Sequence, residues 1–334
     1  MTADYARSWK IGSLQLSNPL LLAPLSGISD LPFRLLAKEQ GCALVCTEMV
    51  SAEGLIRNRK KCEGLLQTCP EERPLAVQIF GARPETMADA ARIVEEMGAD
   101  VLDINMGCPV RKVVKGGSGA ALLKDLKRAR EIIQSVRRAV SLPLTVKVRS
   151  GWDEKNQNVL EVAKMAEDCG VNAITVHGRT RNQGYGVKAD WKVIARTKEH
   201  LNIPVIGNGD LTSPQAVVAF LSDTDCAGAM IGRGALGNPW IFQQALAMLR
   251  GEPSQSPSLE DKEVIILRHL RMVVEKYGEA QGLKEFRKHI IWYTRGLRDN
   301  AYFRSRLPLW KTVCEVSGQI QEYFQKMTYS NFFP

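Results

Sequence analysis

Cys108 sits in the frame Asn105-Met106-Gly107-Cys108-Pro109, between a glycine and a proline, where a packing role gains little. A thiol has a reference pKa of about 8.5, so it is mostly protonated at neutral pH and can donate a proton. Neighbours that lower that value would make it a nucleophile instead. The plainer role, a small buried hydrophobe, is assigned to Cys42, Cys46, Cys169, Cys226 and Cys314. Further along, Asn208-Gly209-Asp210 and Gly232-Arg233-Gly234 combine glycines, which free backbone N–H groups to approach an anion, with an arginine fork. Gly237-Asn238-Pro239-Trp240 then offers a helix start. These residues favour phosphate binding over ordinary turns. Lys147 closes an apolar run, and a buried lysine needs a partner: an anionic ligand, or a strand-end acid such as Asp103. His177, in His177-Gly178-Arg179-Thr180-Arg181, stands beside two arginines, which favours an anion or ring contact over a scaffold role.

These residues need elements to position them. Short apolar runs at residues 20–22, 43–46, 75–80, 101–104, 144–148, 173–176, 204–207 and 227–231 alternate with helical periodicities at 84–97, 124–140, 159–169, 191–200 and 213–221. Asp30-Leu31-Pro32 supplies an N-cap and a first-turn proline for one more helix. The pattern predicts an α/β fold, a (β/α)8 barrel, in which sites gather at strand C-termini. Every residue singled out above falls at such an end. Lys115-Gly116-Gly117-Ser118-Gly119 fits a mobile lid over the site or a plain flexible loop, and its place next to Cys108 favours the lid. Residues 251–257 have linker composition, and only helical periodicities follow, at 264–277, 283–297 and 309–327. The expected organisation is a catalytic barrel over residues 1–250 and a small all-helical domain over 258–334.

The chain has 334 residues, 45% hydrophobic and 24% charged, as in an ordinary globular protein. Its net charge of +9 invites an anionic partner. The charge is uneven: residues 268–311 hold eleven Lys/Arg against four Asp/Glu, a surplus of seven. There Arg287, Lys288, Arg295, Arg298, Arg304, Arg306 and Lys311 interleave with Phe286, Trp292, Tyr293, Tyr302, Phe303 and Trp310. Basic residues neutralise phosphates and aromatics stack bases, although several of these rings must also form a core. The eight cysteines include no Cys-x-x-Cys pair, which argues against a zinc ribbon or iron–sulfur pattern; no metal is expected. No apolar run approaches the ~20 residues of a membrane span. No signal peptide is evident at the N-terminus, so a reduced, cytoplasmic protein is expected, with a monomer favoured.

In combination these features resemble the tRNA-dihydrouridine synthase family, closest to its bacterial B-type branch. The resemblance rests on Ala23-Pro24-Leu25-Ser26-Gly27-Ile28-Ser29-Asp30, Gln78, Asn105-Met106-Gly107-Cys108-Pro109, Lys147-Val148-Arg149, His177-Gly178-Arg179-Thr180-Arg181, Asn208-Gly209-Asp210 and the run from Gly232-Arg233-Gly234 to Trp240. Arg287-Lys288-His289 with Trp292-Tyr293 resembles the family's RNA-binding helices. The family implies FMN over the strand ends, NADPH (or NADH) as reductant, and tRNA as substrate. The C5=C6 bond of a D-loop uridine would be reduced, position 17 in the B-type branch. Cys108 would protonate C5. Pro24, Leu25 and Ser26 would line the flavin ring, and Gln78 and Lys147 would bond its polar edge. Asn208, Gly209, Asp210, Gly232 and Arg233 would hold the ribityl chain and phosphate, with His177 nearby. Asn105 and Arg149 would position the uracil, which must leave its stack to be reached. Relatives often read Pro-Met-Ala where this chain reads Pro24-Leu25-Ser26. Backbone roles survive that change; a methionine side-chain role would not. Two other readings share the barrel. One is an FMN oxidoreductase acting on a small molecule, of the dihydroorotate-dehydrogenase kind. The other is a phosphate-binding barrel that only docks RNA. The basic tail argues against the first, since a small substrate needs no such surface.

Overall fold

A computed structural model describes residues 8–332. Eight of its strands run parallel and close on themselves: β3 (Leu20–Leu22), β4 (Val45–Cys46), β6 (Leu75–Phe80), β7 (Val101–Met106), β8 (Leu144–Arg149), β9 (Ala173–His177), β10 (Val205–Asn208) and β11 (Gly228–Ile231). Their order is β3-β11-β10-β9-β8-β7-β6-β4. The seam between β3 and β4 closes through the bridge of Leu21 and Leu44. There Ala43 N–H donates to the Leu20 carbonyl at 2.8 Å and Leu22 N–H to the Leu44 carbonyl at 3.0 Å. The expected (β/α)8 barrel is therefore present. Two features are additional to it. β1 (Trp9–Ile11) and β2 (Leu14–Leu16) form an antiparallel hairpin, and β5 (Val50–Ser51) extends the sheet beside the end of β6.

Side chains alternate along each stave, and the two faces have different tasks. Leu102, Ile104, Val146, Val148, Ile174 and Val176 point outward into one large core shared with the helices. Leu21, Leu44, Ala76, Val101, Ala173 and Ile206 form a smaller inner cluster with Ile11 and Leu16 of the hairpin. The hairpin thus plugs the barrel's N-terminal end. Further along the same inward series come Gln78, Asp103, Thr145 and Thr175, then Asn105, Lys147, Arg149, His177 and Asn208. The interior is dry at its base and polar at its mouth.

The helices start where the sequence provides caps. Asp30 accepts from Phe33 N–H, Asp190 from Lys192 and Val193 N–H, and Ser213 from Ala216 N–H, with proline in the first turn after Asp30 and Ser213. Some boundaries differ from expectation, each for a local reason. The helix expected at 124–140 begins at Leu126, because Gly119–Lys124 is a 3-10 turn that ends at the Asp125 cap. Two short helices, Ala52–Arg57 and Arg59–Leu66, and the turn Pro70–Glu72 fill the connection from β5 to β6. Arg34, fully buried, ties that connection down. Its guanidinium grips the Glu72 carboxylate at 2.6 and 3.0 Å and donates to the Ser29 and Gln67 carbonyls at 2.8 Å.

The chain beyond residue 257 is helical, as its periodicity requires: Leu259–Tyr277, Glu279–Tyr293, Asn300–Ser305 and Val313–Phe332. The first of these begins five residues earlier than its apolar spacing shows. Ser258 and Asp261 form a reciprocal capping box there. These helices have their own core, built from Ile266, Leu270, Phe286, Ile290, Trp310 and Phe324, which also takes in Trp240. Phe286, Tyr293, Phe303 and Trp310 are buried, whereas Tyr302 is 70% exposed. Against the barrel, Tyr277 donates its hydroxyl to Asp30 at 3.1 Å. Among the described residues, no helix is long and apolar enough to cross a membrane.

Packing on the outer face is tight enough to test. A Cβ on Gly207 of β10 would lie 1.8 Å from Cζ of Phe220 in the helix Pro214–Thr224. Gly207→Ala is expected to cost about 1–3 kcal/mol by overpacking. Urea unfolding should show a lower midpoint at constant slope, partly restored by adding Phe220→Leu. An unchanged midpoint in the single variant would contradict this packing.

Candidate active site

The C-terminal ends of the staves surround a cleft of about 910 Å3, counting the part open to solvent. Pro24, Leu25, Ser26, Gln78, Asn105, Cys108, Lys147, Arg149, His177, Asn208, Gly209, Asp210, Gly232 and Arg233 all line it. The structure therefore brings together the residues expected to bind cofactor or substrate or to act as the acid. It adds Met49, Tyr185, Leu211 and Thr212, which were not.

The turn bearing Cys108 is held from several sides. Asn105 is the last inward residue of β7, and its carbonyl oxygen accepts the N–H groups of Gly107 at 3.1 Å and Cys108 at 2.9 Å. Arg149 at the end of β8 donates to the Gly107 carbonyl at 2.9 Å and to the Thr180 carbonyl at 2.8 Å. Ala120 N–H donates to the Cys108 carbonyl at 3.1 Å. Asn105 and Arg149 thus anchor the thiol's turn as well as lining the cleft. The segment expected as a lid packs here too. Residues Arg111–Lys115 are helical, and Gly119, at φ 60°, lies so close that a Cβ would meet the Cys108 carbonyl at 2.8 Å. Gly119 permits close packing against the turn. Burial raises the Cys108 thiol's pKa above the ordinary range, outweighing the Val110 N–H and the charges on Arg149 and Lys147. This shift favours the protonated form of the thiol.

Beneath the turn, Asn105 donates its amide N–H to the Gln78 side-chain carbonyl at 2.8 Å. Gln78 in turn donates to Asp103 at 2.6 Å, and the Thr145 hydroxyl donates to the other Asp103 oxygen at 2.6 Å. Burial pushes the Asp103 carboxyl up, opposed by these two bonds and by the charge on Lys147.

A second group is organised by Asn208. Its amide N–H donates to the Met230 carbonyl at 2.7 Å, which turns its oxygen toward the Lys147 ammonium at 3.1 Å and the His177 Nδ1 at 2.9 Å. An oxygen there requires Nδ1 to carry the proton, leaving Nε2 with a lone pair. Nε2 is buried and has no hydrogen-bond partner among the described residues. His177 stays neutral, its pKa pushed down to about 2 by burial and then by Lys147, Arg149 and Arg179. Burial, followed by the charge on Arg149, lowers Lys147 to about 8. Asp103 interacts with Lys147 through charge, while the Lys147 hydrogen bond goes to Asn208.

The third group surrounds Asp210. Its carboxylate accepts from Arg179 at 2.7 and 2.8 Å, from Arg233 at 3.0 Å and from Ala189 N–H at 2.8 Å. Burial works against its ionisation, but Ala189 N–H, Arg179 and Arg233 together hold its pKa below the usual range. The Arg233 guanidinium lies over the Tyr185 ring, 3.8 Å from its centroid. Asp210 and Tyr185 thereby fix Arg233 at the rim. Gly209, at φ 130°, lets the backbone pass where a Cβ would stand 2.6 Å from Ala189 Cβ. Tyr185, in Gln183-Gly184-Tyr185-Gly186, was detectable only as an aromatic among turn residues.

The shifted lysine can be checked directly. Peptide-resolved competitive acylation of the unliganded protein should give Lys147 a reactivity midpoint near pH 8. Solvated lysines should titrate near ~10.4. A Lys147 midpoint in that ordinary range would contradict the described burial.

Comparison with known proteins agrees with this geometry. Residues 21–328 match the family model described as dihydrouridine synthase. The probable tRNA-dihydrouridine synthase of Rickettsia bellii (strain RML369-C) is 41% identical over 320 residues, 94% of this chain and 97% of that one. The tRNA-dihydrouridine synthase B of Pasteurella multocida (strain Pm70) is 41% identical over 296 residues, 88% and 89% of the two chains. Its namesake from Pseudomonas putida is 39% identical over 318 residues, 95% and 94% of the two chains. Among solved structures, a 2-naphthoyl-CoA reductase complex aligns with TM-score 0.57 and 13% identity, over 76% of this chain and 53% of that one. Histamine dehydrogenase from Rhizobium sp. 4-9 aligns with TM-score 0.56 and 13% identity, over 81% and 51%. At such identities these two share the fold alone. The near-complete match to the family model and the relatives at about 40% identity establish that this chain belongs to the dihydrouridine synthase family.

Proposed function

We propose that this protein is a flavin-dependent tRNA-dihydrouridine synthase, which reduces the C5=C6 bond of a D-loop uridine with FMN bound and NADPH as reductant. The observation that carries the proposal is that Cys108, whose thiol burial shifts toward the protonated form, lines the same cleft as Lys147, His177, Asn208 and Arg233. The residues present fit FMN. His177 offers a buried lone pair with no hydrogen-bond partner among the described residues, suited to a ribityl hydroxyl. Lys147 offers a cation whose one hydrogen bond among the described residues goes to Asn208, suited to the polar edge of a flavin. Arg233, aimed by Asp210, and the glycines at 209 and 232 suit a phosphate. When bound, FMN supplies the hydride equivalent that C6 requires, drawn from NADPH.

The chain's own residues do the rest. Pro24, Leu25 and Ser26 form one wall of the cleft, and Gln78 reaches it from within the barrel. Asn105 and Arg149 hold the Cys108 turn; Arg149 retains N–H groups for a uracil carbonyl, and Asn105 would offer the N–H that otherwise meets the Met49 sulfur. Cys108 gives its proton to C5, and the Arg149 and Lys147 cations stabilise the thiolate that remains. Half-buried at the mouth, the thiol regains its proton from solvent. The basic surplus beyond residue 268 binds the tRNA backbone, and the target base enters the cleft unstacked. That surplus also favours tRNA over a small dihydroorotate-like substrate. The enzyme works as a cytoplasmic monomer on this reading.

Cys108→Ala should keep the flavin and tRNA binding yet lose about 10²–10⁴-fold of the rate, the usual share of a positioned acid. Nucleoside mass spectrometry of unmodified tRNA incubated with enzyme and NADPH measures this. Near-normal dihydrouridine yield from the variant would contradict the acid role.

A further inference from the structure

We propose that Asp103 is a positioning residue for Cys108, acting through Gln78 and Asn105. The proposal deepens the reading of Cys108 as the acid. Asp103 is 4% exposed and lies below the cleft lining, so it touches no substrate. Both Asp103 oxygens are met by donors, Gln78 at one and Thr145 at the other, so Asp103 sits as a carboxylate with only acceptor atoms. Gln78 must therefore turn its N–H toward Asp103 and its carbonyl toward Asn105. That carbonyl takes the Asn105 N–H, which leaves the Asn105 oxygen facing the backbone of the turn. The oxygen accepts Gly107 and Cys108 N–H together. Every bond in this chain runs in one direction, set at the top by two backbone donors and at the buried end by a carboxylate that only accepts.

A side-chain amide can flip end for end, so its orientation is set by its partners. Were Gln78 to flip, Asn105 would have to flip with it. The Asn105 N–H would then face two backbone N–H groups, donor against donor, and the turn would lose both bonds. Asp103 thus fixes the position of a thiol two links away.

The Thr145 hydroxyl, the second donor to Asp103, makes the proposal testable. A hydroxyl can donate or accept. In Asp103→Asn the new amide N–H can turn toward Thr145, keep its oxygen on Gln78 and preserve the direction. Thr145→Val alone leaves the carboxylate in place. Only Asp103→Asn with Thr145→Val removes that acceptor, so the new amide either leaves its N–H buried without a partner or turns it against Gln78, and both outcomes weaken the chain's buried anchor. Two readouts apply to the flavin-loaded enzyme: kcat and KM for tRNA, and peptide-resolved alkylation of Cys108 with exposed Cys314 as internal control.

Each single variant should stay within about threefold of the parent, while the double variant loses about tenfold or more in kcat at unchanged KM, a non-additivity typical of one network. Cys108 alkylation should rise severalfold in the double variant only, and Cys314 should not change. Additive singles, or unchanged Cys108 alkylation in the double variant, would overturn the proposal. Should the double variant fail to fold, Gln78→Leu severs the middle link and must raise Cys108 alkylation in the same way; no rise overturns the proposal. If the parent forms no dihydrouridine, the functional reading fails while the alkylation pattern still decides the role of Asp103.

Discussion

A closed eight-stranded barrel leaves no spare room on its axis, so each inward side chain must either pack or find a polar partner. At the base the first solution holds, with Leu21, Leu44, Val101 and Ile206 sealed by the β1–β2 hairpin. Toward the mouth the second takes over. Thr145, Asp103, Gln78 and Asn105 satisfy one another in sequence, and Met230, Asn208, His177 and Lys147 form a second set. The site is what remains when these partnerships are complete. Its notable leftovers are one imidazole nitrogen, one ammonium, one guanidinium and one thiol.

The same environment moves these groups in different directions. Burial penalises whichever form is charged. It therefore raises the Cys108 thiol and lowers His177 and Lys147. The result is a proton donor, a neutral acceptor and a cation of adjustable charge within one cleft. Arg149 serves twice, holding the Gly107 carbonyl and adding positive charge beside the thiol. A thiolate formed there after proton transfer meets favourable charge at no cost in rearrangement.

The barrel and its mouth were legible in sequence because both depend on local signals. Each stave is an apolar run, and the turn after it is rich in glycine or in polar residues, as with Asn208-Gly209-Asp210. Partnerships were not legible, because they join residues far apart along the chain. Arg34 meets Glu72 across 38 residues, and Asp210 meets Arg179 across 31. For the same reason Asn105 and Arg149 were read only as substrate contacts, and the glycines at 116–119 as a lid. Gly119 instead permits contact with the Cys108 carbonyl, a requirement set by a neighbour rather than by the segment itself. The hairpin did leave a local sign, Gly12-Ser13 between Trp9-Lys10-Ile11 and Leu14-Gln15-Leu16, a two-residue turn between alternating strands. Three-residue strands are too short to stand out from composition alone.

The central claim is that the barrel mouth keeps the Cys108 sulfur protonated until a base arrives. Difference Raman spectroscopy at neutral pH, comparing the protein with Cys108→Ser, observes that proton through the S–H stretch. The account predicts an S–H band assigned to Cys108 that persists at least to the pH where an ordinary thiol ionises. A missing band at neutral pH, marking a resident thiolate, would contradict it.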